Sequence, residues 1–460
     1  MNRRYSSRAF AALFTIVASA MAQDPLANTV DTIPAGYTGM KFALSHSYPT
    51  SPPPNEPQPW KQHDFKTAPV AYMQAVLVYC LEGQEAADWV VQNNAARKWY
   101  HAPGLAQGPN GREFVRGLTR ERTSRPRELH ALQATAVQNW GTGFFNPVGA
   151  FTLGQVWASS GSTDPGKAQF AEGTVAFKIL FTRAQVAEVP YLSRSLRWQA
   201  NVNRNGQPIQ VKLLQMDIAV KDSRAETGWV FGTFVYQDAS GSGSPWTRMV
   251  PACLAWGNDP ALDEAAYQTG TRPSQSWIAP TLLNGPKKLP HFGWLDRANG
   301  PVDNPRSACM SCHMTSQWPM GDMLPAANAP PATKLTFYRN LKYPTPFTAG
   351  HKSLDFSLQL AVGIGNYPGT LDNTITPLEA RAARAATAPT PAWNPREGSA
   401  ADAAEVANVG PGPDDPADAA DSAADGSPAA STSGIPPWLF ITVGIVALIL
   451  VLSLALRKKP

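Results

Sequence analysis

Only four cysteines occur in these 460 residues, and two of them, Cys80 and Cys253, stand far along the chain from each other and from the remaining pair. A four-ligand zinc site needs a second Cys/His pair at close spacing, and the chain offers none. No phosphate-binding glycine loop, dinucleotide fingerprint, HExxH pair or GxSxG elbow is present, which argues against nucleotide and hydrolase chemistry. Basic residues are nowhere dense enough for a nucleic-acid surface, and no internal repeat occurs. Between residues 386 and 434 large apolar side chains almost vanish, so that stretch has nothing from which to build a core. It carries eight acidic and no basic residues between positions 397 and 425. It reads as a self-repelling tether with a random-coil span of roughly 40 Å.

What the chain does contain is Cys309-Met310-Ser311-Cys312-His313, a CxxCH run. Composition alone produces such a run in roughly one chain in a thousand of this length, so chance is a poor explanation. Two thiols separated by two residues are spaced to add across two haem vinyl groups, and the histidine that follows is placed to ligate the iron. A redox dithiol is the other reading of CxxC. Such a pair usually opens a helix after a strand, whereas Gly300-Pro301-Val302-Asp303-Asn304-Pro305 reads as turn-rich chain.

These five residues resemble the haem-attachment site of the c-type cytochromes. The resemblance implies one covalent haem c held by Cys309 and Cys312, with His313 as proximal iron ligand, its other ring nitrogen held by a backbone carbonyl. In the commonest small members a methionine tens of residues downstream takes the sixth position, but the last methionine here is Met323. Met320 and Met323 lie seven and ten residues past His313, and extended chain of that length reaches about 23 to 33 Å, enough to come round the ring. Met323 is the first distal candidate. His351 is the alternative, as the only histidine after the motif, followed by His101 and His291; a five-coordinate iron is also open. Methionine suits electron transfer, whereas an open position lets the iron bind small oxidants.

Haem is joined through thioethers outside the bacterial cytoplasm, and the N-terminus reads as an export signal over residues 1–22. Arg3, Arg4 and Arg8 precede an apolar stretch, and Ala20-Met21-Ala22 fits a cleavage site. Residues 438–456 carry no charge and are long enough to cross a roughly 30 Å hydrocarbon layer. Arg457, Lys458 and Lys459 follow. Positive residues stay cytoplasmic, so residues 435–460 are expected to anchor the chain in the bacterial inner membrane with its bulk in the periplasm. A sorting tail lost to processing has the same pattern. With signal, acidic stretch and tail set aside, 33 basic residues face 26 acidic ones, an excess suited to an acidic redox partner protein.

Within the remaining chain, residues 23–143 read as extended and helical, with a helix over 72–93 that contains Cys80. That thiol is either buried and structural or disulfide-bonded to Cys253. Residues 144–259 turn to period two, with strands over 174–181, 209–220, 229–236 and 246–256, and resemble an antiparallel β-sandwich. In the second strand the apolar face changes at one step, which a bulge near Leu213 explains. Both faces of the third are apolar, so it should be central. Residues 260–385 are expected to hold a small haem-binding lobe with a short segment at 335–341 and a helix over 354–363, and the haem is expected to rest against the β domain. The fold class is thus mixed and β-rich. Arg112, Arg116, Arg120, Arg122, Arg125 and Arg127 alternate with Glu113, Glu121 and Glu128. They read as an internally paired, solvated surface, against the sharper reading that one or two clamp haem propionates or an acidic substrate.

The expectation is a membrane-tethered periplasmic mono-haem cytochrome passing single electrons between redox partners. The alternatives are a haem oxidoreductase with a substrate pocket over an open distal face, or a ligand sensor in which the haem reports redox state or a gas.

Overall fold

The computed structural model describes residues 25–367, apart from 30, 55, 107–110, 159–161, 239–242 and 285–287. The signal, tether and apolar tail expected at the two ends lie outside the described residues. No helix among the described residues is long and apolar enough to cross a membrane.

The strands are β1 (Thr119–Arg120), β2 (Asn139–Phe145), β3 (Val175–Thr182), β4 (Arg197–Ala200), β5 (Ile209–Lys221), β6 (Trp229–Tyr236), β7 (Met249–Ala255), β8 (Ser276–Ile278), β9 (Gln317–Trp318) and β10 (Lys352–Ser353). Helices are few and short: α1 (Pro69–Leu81), α2 (Pro147–Val156), α3 (Glu264–Gln268), α4 (Pro280–Leu283), α5 (Cys309–Met314), α6 (Pro331–Leu335) and α7 (Leu358–Asn366). The first eight strands make one antiparallel sheet in the order β1-β2-β3-β5-β6-β7-β8, with β4 also paired to β5; β9 and β10 form a separate two-stranded antiparallel sheet. The β-rich, antiparallel character is as the alternation predicts, but a second packed sheet is not what covers it. Apolar patterning reports which faces of a strand are buried, one face for alternation and both for a continuous run such as β6, and it is silent on what buries them.

Here α1 and aromatic side chains cover one face. Phe144, Phe177, Ile218 and Leu254 lie on it in register and join Trp60, Tyr72, Trp89, Trp99 and Trp246 in the largest apolar cluster. Every residue of β6 is buried, as expected of a central strand. The change of face in β5 coincides with a register shift, where Leu180 pairs with Gln215 and Phe181 with Leu213, leaving Leu214 as the extra residue. The helix expected over 72–93 stops at Leu81. Gly83 takes φ +75°, and a Cβ there would stand 2.3 Å from Asn94 Oδ1, while Asn94 Nδ2 donates to the Glu82 carbonyl at 2.8 Å. The chain then turns so that Trp89 enters the core, 4.3 Å from Trp246.

The opposite face carries small residues. The row Phe145, Ala176, Ala219, Phe231, Ala255 runs beside the row Gly143, Lys178, Asp217, Thr233, Cys253. Chain after residue 294 folds over this face and is pinned by Asp355. Its fully buried carboxylate accepts from Lys221 Nζ at 2.7 Å, Trp229 Nε1 at 2.8 Å and Phe170 N at 2.9 Å. Asp355 and Phe356 both adopt left-handed backbone, φ 47° and 67°, a strained pair that these bonds hold in place.

Candidate functional site

The short helix α5 starts after Ala308, whose N–H donates to Ser311 Oγ at 2.8 Å, the side chain reaching back as in half a capping box. Positions i, i+3 and i+4 share one face of a helix, so Cys309, Cys312 and His313 turn the same way. Met310 and Met314 are buried in the apolar cluster behind them. The ring of His313 lies 4.4 Å from that of Phe231 on β6. Its Nδ1–H donates to the Phe356 carbonyl at 2.9 Å, so Nε2 carries the lone pair. Burial pushes the imidazole pKa down to about 4, against the pull of that carbonyl, so the ring is neutral at neutral pH.

These side chains line a cleft between the small-residue face of the sheet and the chain that covers it. Gly141, Gly143, Ala176 and Ala219 form its floor; Phe145, Phe231 and Phe356 supply apolar wall; Met323, Asn304 and Gln359 complete it. Its empty space is about 1540 Å³, the open mouth included. Three polar atoms of its lining residues, Arg122 Nε, Asn304 Nδ2 and Gln359 Oε1, are buried and have no hydrogen-bond partner among the described residues. Such orphans are rare unless something else satisfies them.

Both thiols of the motif are held protonated. Cys309 is raised well above the usual thiol range by the neighbouring Cys253 thiol and by burial. Burial, with Asp303 adding and Lys178 opposing, brings Cys312 to about 12. A nucleophilic dithiol needs the reverse shift.

Of the distal candidates, Met323 lines the cleft and is buried. His351 is half-exposed beside the Ala349 carbonyl. His101 is buried on the far side of the sheet against Phe144, and His291 approaches the Pro301 carbonyl at 3.2 Å; none of the three is among the cleft residues. All four cysteines are free. The Cys80–Cys253 pairing is overturned, because Cys80 sits in the aromatic core on α1 while Cys253 belongs to the other face, its Sγ donating to the Asn299 carbonyl at 3.5 Å. The arginine stretch is paired but not all solvated. Arg122 is buried and grips Glu128 with bonds of 2.6 and 2.7 Å, and Arg112, also buried, donates to the Ala102 carbonyl at 2.6 Å. Arg122 alone of the six reaches the cleft.

Three charged residues of the wall had no motif to announce them: Lys178, Asp217 and Asp303. The available signal was a charge inside an apolar strand, Lys178 as the lone charge of Val175–Thr182 and Asp217 as the lone acid of Ile209–Lys221. Burial and Asp303 push the Asp217 carboxyl up to about 7, against Lys178 and the hydrogen bonds it accepts. Asp303 is raised too, chiefly by burial. For Lys178 burial acts downward, but Glu121, Asp217 and Asp303 outweigh it and hold the ammonium above its usual value. No family model matches this sequence, and searches of curated proteins and of solved structures find no match.

Proposed function

We propose that this chain carries one c-type haem in the cleft, joined to Cys309 and Cys312 by thioether bonds and ligated by His313 Nε2, and that it works as an exported electron-transfer protein. The observation that carries the reading is His313: a neutral imidazole on the attachment helix, fixed through Nδ1 by a backbone carbonyl, with both motif cysteines lining the same apolar cleft. The donor set fits the group. When bound, the haem supplies a one-electron couple at iron.

The chain's own residues do the rest. A floor of glycine and alanine leaves flat space against the sheet, and a Cβ at Gly143 would stand 2.2 Å from Gln359 Nε2. Phe145, Phe231 and Phe356 make part of the wall apolar, which would favour the less charged redox state. Asn304 Nδ2 offers a donor to a polar edge of the group. Met323, which lines the cleft as His351 does not, would be the second protein ligand to the iron. The reading also requires export, with the N-terminal segment as signal, and it retains the C-terminal apolar stretch as a membrane anchor near a redox partner protein.

Production in a host able to mature c-type centres, followed by denaturation, tests this. Pigment that stays with the wild-type polypeptide and is lost or washes out in Cys309→Ser and Cys312→Ser is expected; a colourless wild type overturns the reading. The charged groups on the cleft wall and its open mouth favour one second reading, a haem oxidoreductase acting on a small substrate. A reduced spectrum unchanged by carbon monoxide supports electron transfer, and a shifted one supports the oxidoreductase.

A further inference from the structure

Lys178, Asp217 and Thr233 stand side by side across β3, β5 and β6, paired in register, and Asp303 arrives beside them from the segment before α5. Gln215 Nε2 ties the two carboxylates together, donating to Asp217 Oδ1 at 2.8 Å and to Asp303 Oδ2 at 3.4 Å. Thr233 Oγ1 donates to Asp217 Oδ1 at 2.8 Å and Gly300 N to Asp303 Oδ2 at 3.0 Å. Both aspartates are half-buried, their remaining surface open to the cleft.

The charges on this wall do not balance. Lys178 Nζ is 3.3 Å from Glu121 as well as facing the two aspartates, so one ammonium serves three carboxylates. The other basic side chain among the cleft residues, Arg122, is bonded to Glu128 through two bonds and eases only Asp303, through space and less than burial opposes it. Two neighbouring carboxylates with so little compensation are costly to keep ionised together. A second feature marks the same wall as one that meets a ligand: Asn304, next in sequence to Asp303, is 7% exposed and its Nδ2 has no partner among the described residues.

We propose that Asp217 and Asp303 hold one proton between them and exchange it with the redox event in the cleft, so that electron uptake is coupled to proton uptake. The proposal rests on the cofactor reading above. One electron enters from an external one-electron donor, and one proton passes from water to a carboxylate oxygen of the pair; both leave on oxidation, and only the O–H bond forms and breaks. An added electron makes the cleft more negative, which raises the proton affinity of the pair. The upward displacement of the Asp217 carboxyl by burial and by Asp303 agrees with a site that exchanges its proton near neutrality.

The test has two arms. In the pigmented protein, the reduction potential of the wild type is expected to fall by up to one proton per electron, about 59 mV per pH unit, across a window near neutrality. Asp217→Asn and Asp303→Asn should flatten that slope, whereas a purely structural role would move the potential by the same amount at every pH. In the pigment-free protein, the infrared carboxyl band should titrate near neutrality and lose that component in either variant. A pH-independent wild-type potential in coloured protein overturns the coupling alone, a colourless protein overturns the cofactor reading, and an absent near-neutral carboxyl band overturns the shared proton.

Discussion

Asp217 differs from an ordinary surface carboxylate because folding changes its proton affinity. Its pKa is raised to about 7 in the folded chain, against about 3.9 when unfolded. Between those values the folded state binds more protons than the unfolded one, so its contribution to stability is complete below about pH 4 and is lost as pH rises through about 7. With allowance for water in the open cleft, the loss is of order 2 kcal/mol. Urea midpoints of the pigment-free protein should therefore decline between pH 4 and 7.5 more steeply for the wild type than for Asp217→Asn; parallel curves would contradict the assignment. This residue was visible in the sequence only as a charge in an apolar strand, since its partners, Lys178 and Asp303, are brought to it by register and by a long return of the chain. That Cys309, Cys312 and His313 face one cleft was legible because their i, i+3, i+4 spacing lies along the chain itself, and the proposed haem attachment would require that spacing.

Elements were legible where one local force decides them. Apolar patterning predicted β3, β5 and β6 almost to the residue and placed a bulge near Leu213, next to the extra residue Leu214. The end of α1 was not legible, because the side chain of Asn94, eleven positions past Gly83, completes the turn. Nor was the identity of the layer opposite the sheet, because strands record burial without recording the neighbour. The approach of α7 is a case of the same kind. Gly363 sits within it at a helical conformation, where alanine is intrinsically better by roughly 1 kcal/mol. A Cβ there would nevertheless stand 2.4 Å from the Pro103 carbonyl, and backbone yields less readily than a side-chain tip. On the facing segment Gly104 has φ +74°, and its Cβ would meet the Gly363 carbonyl at 2.4 Å. Gly363→Ala is thus expected to lose about 1–3 kcal/mol net, read as a lower thermal midpoint. A gain in stability would show that α7 does not press on residues 103–104 as described.

At the scale of the whole molecule, the sheet, the cleft and its covering chain are built, among the described residues, from 25–367, and the last of these, Tyr367, packs its ring 5.6 Å from that of Trp157. Asp355 ties the covering chain to β5 and β6 upstream of that point. The acidic stretch and the apolar tail follow it in sequence, and the reading of those ends rests on charge and hydropathy rather than on contacts with the cleft. Separate physical origins imply separable consequences. A chain ended after residue 385, with the N-terminal segment kept, should match the full chain in urea midpoint and in retained pigment while leaving the membrane fraction for the soluble periplasmic one. Fractionation, denaturation and absorption measured on the two chains together check this. Loss of the midpoint in the shortened chain would mean that residues past 385 contribute to the core, and retention in the membrane would move the anchor elsewhere.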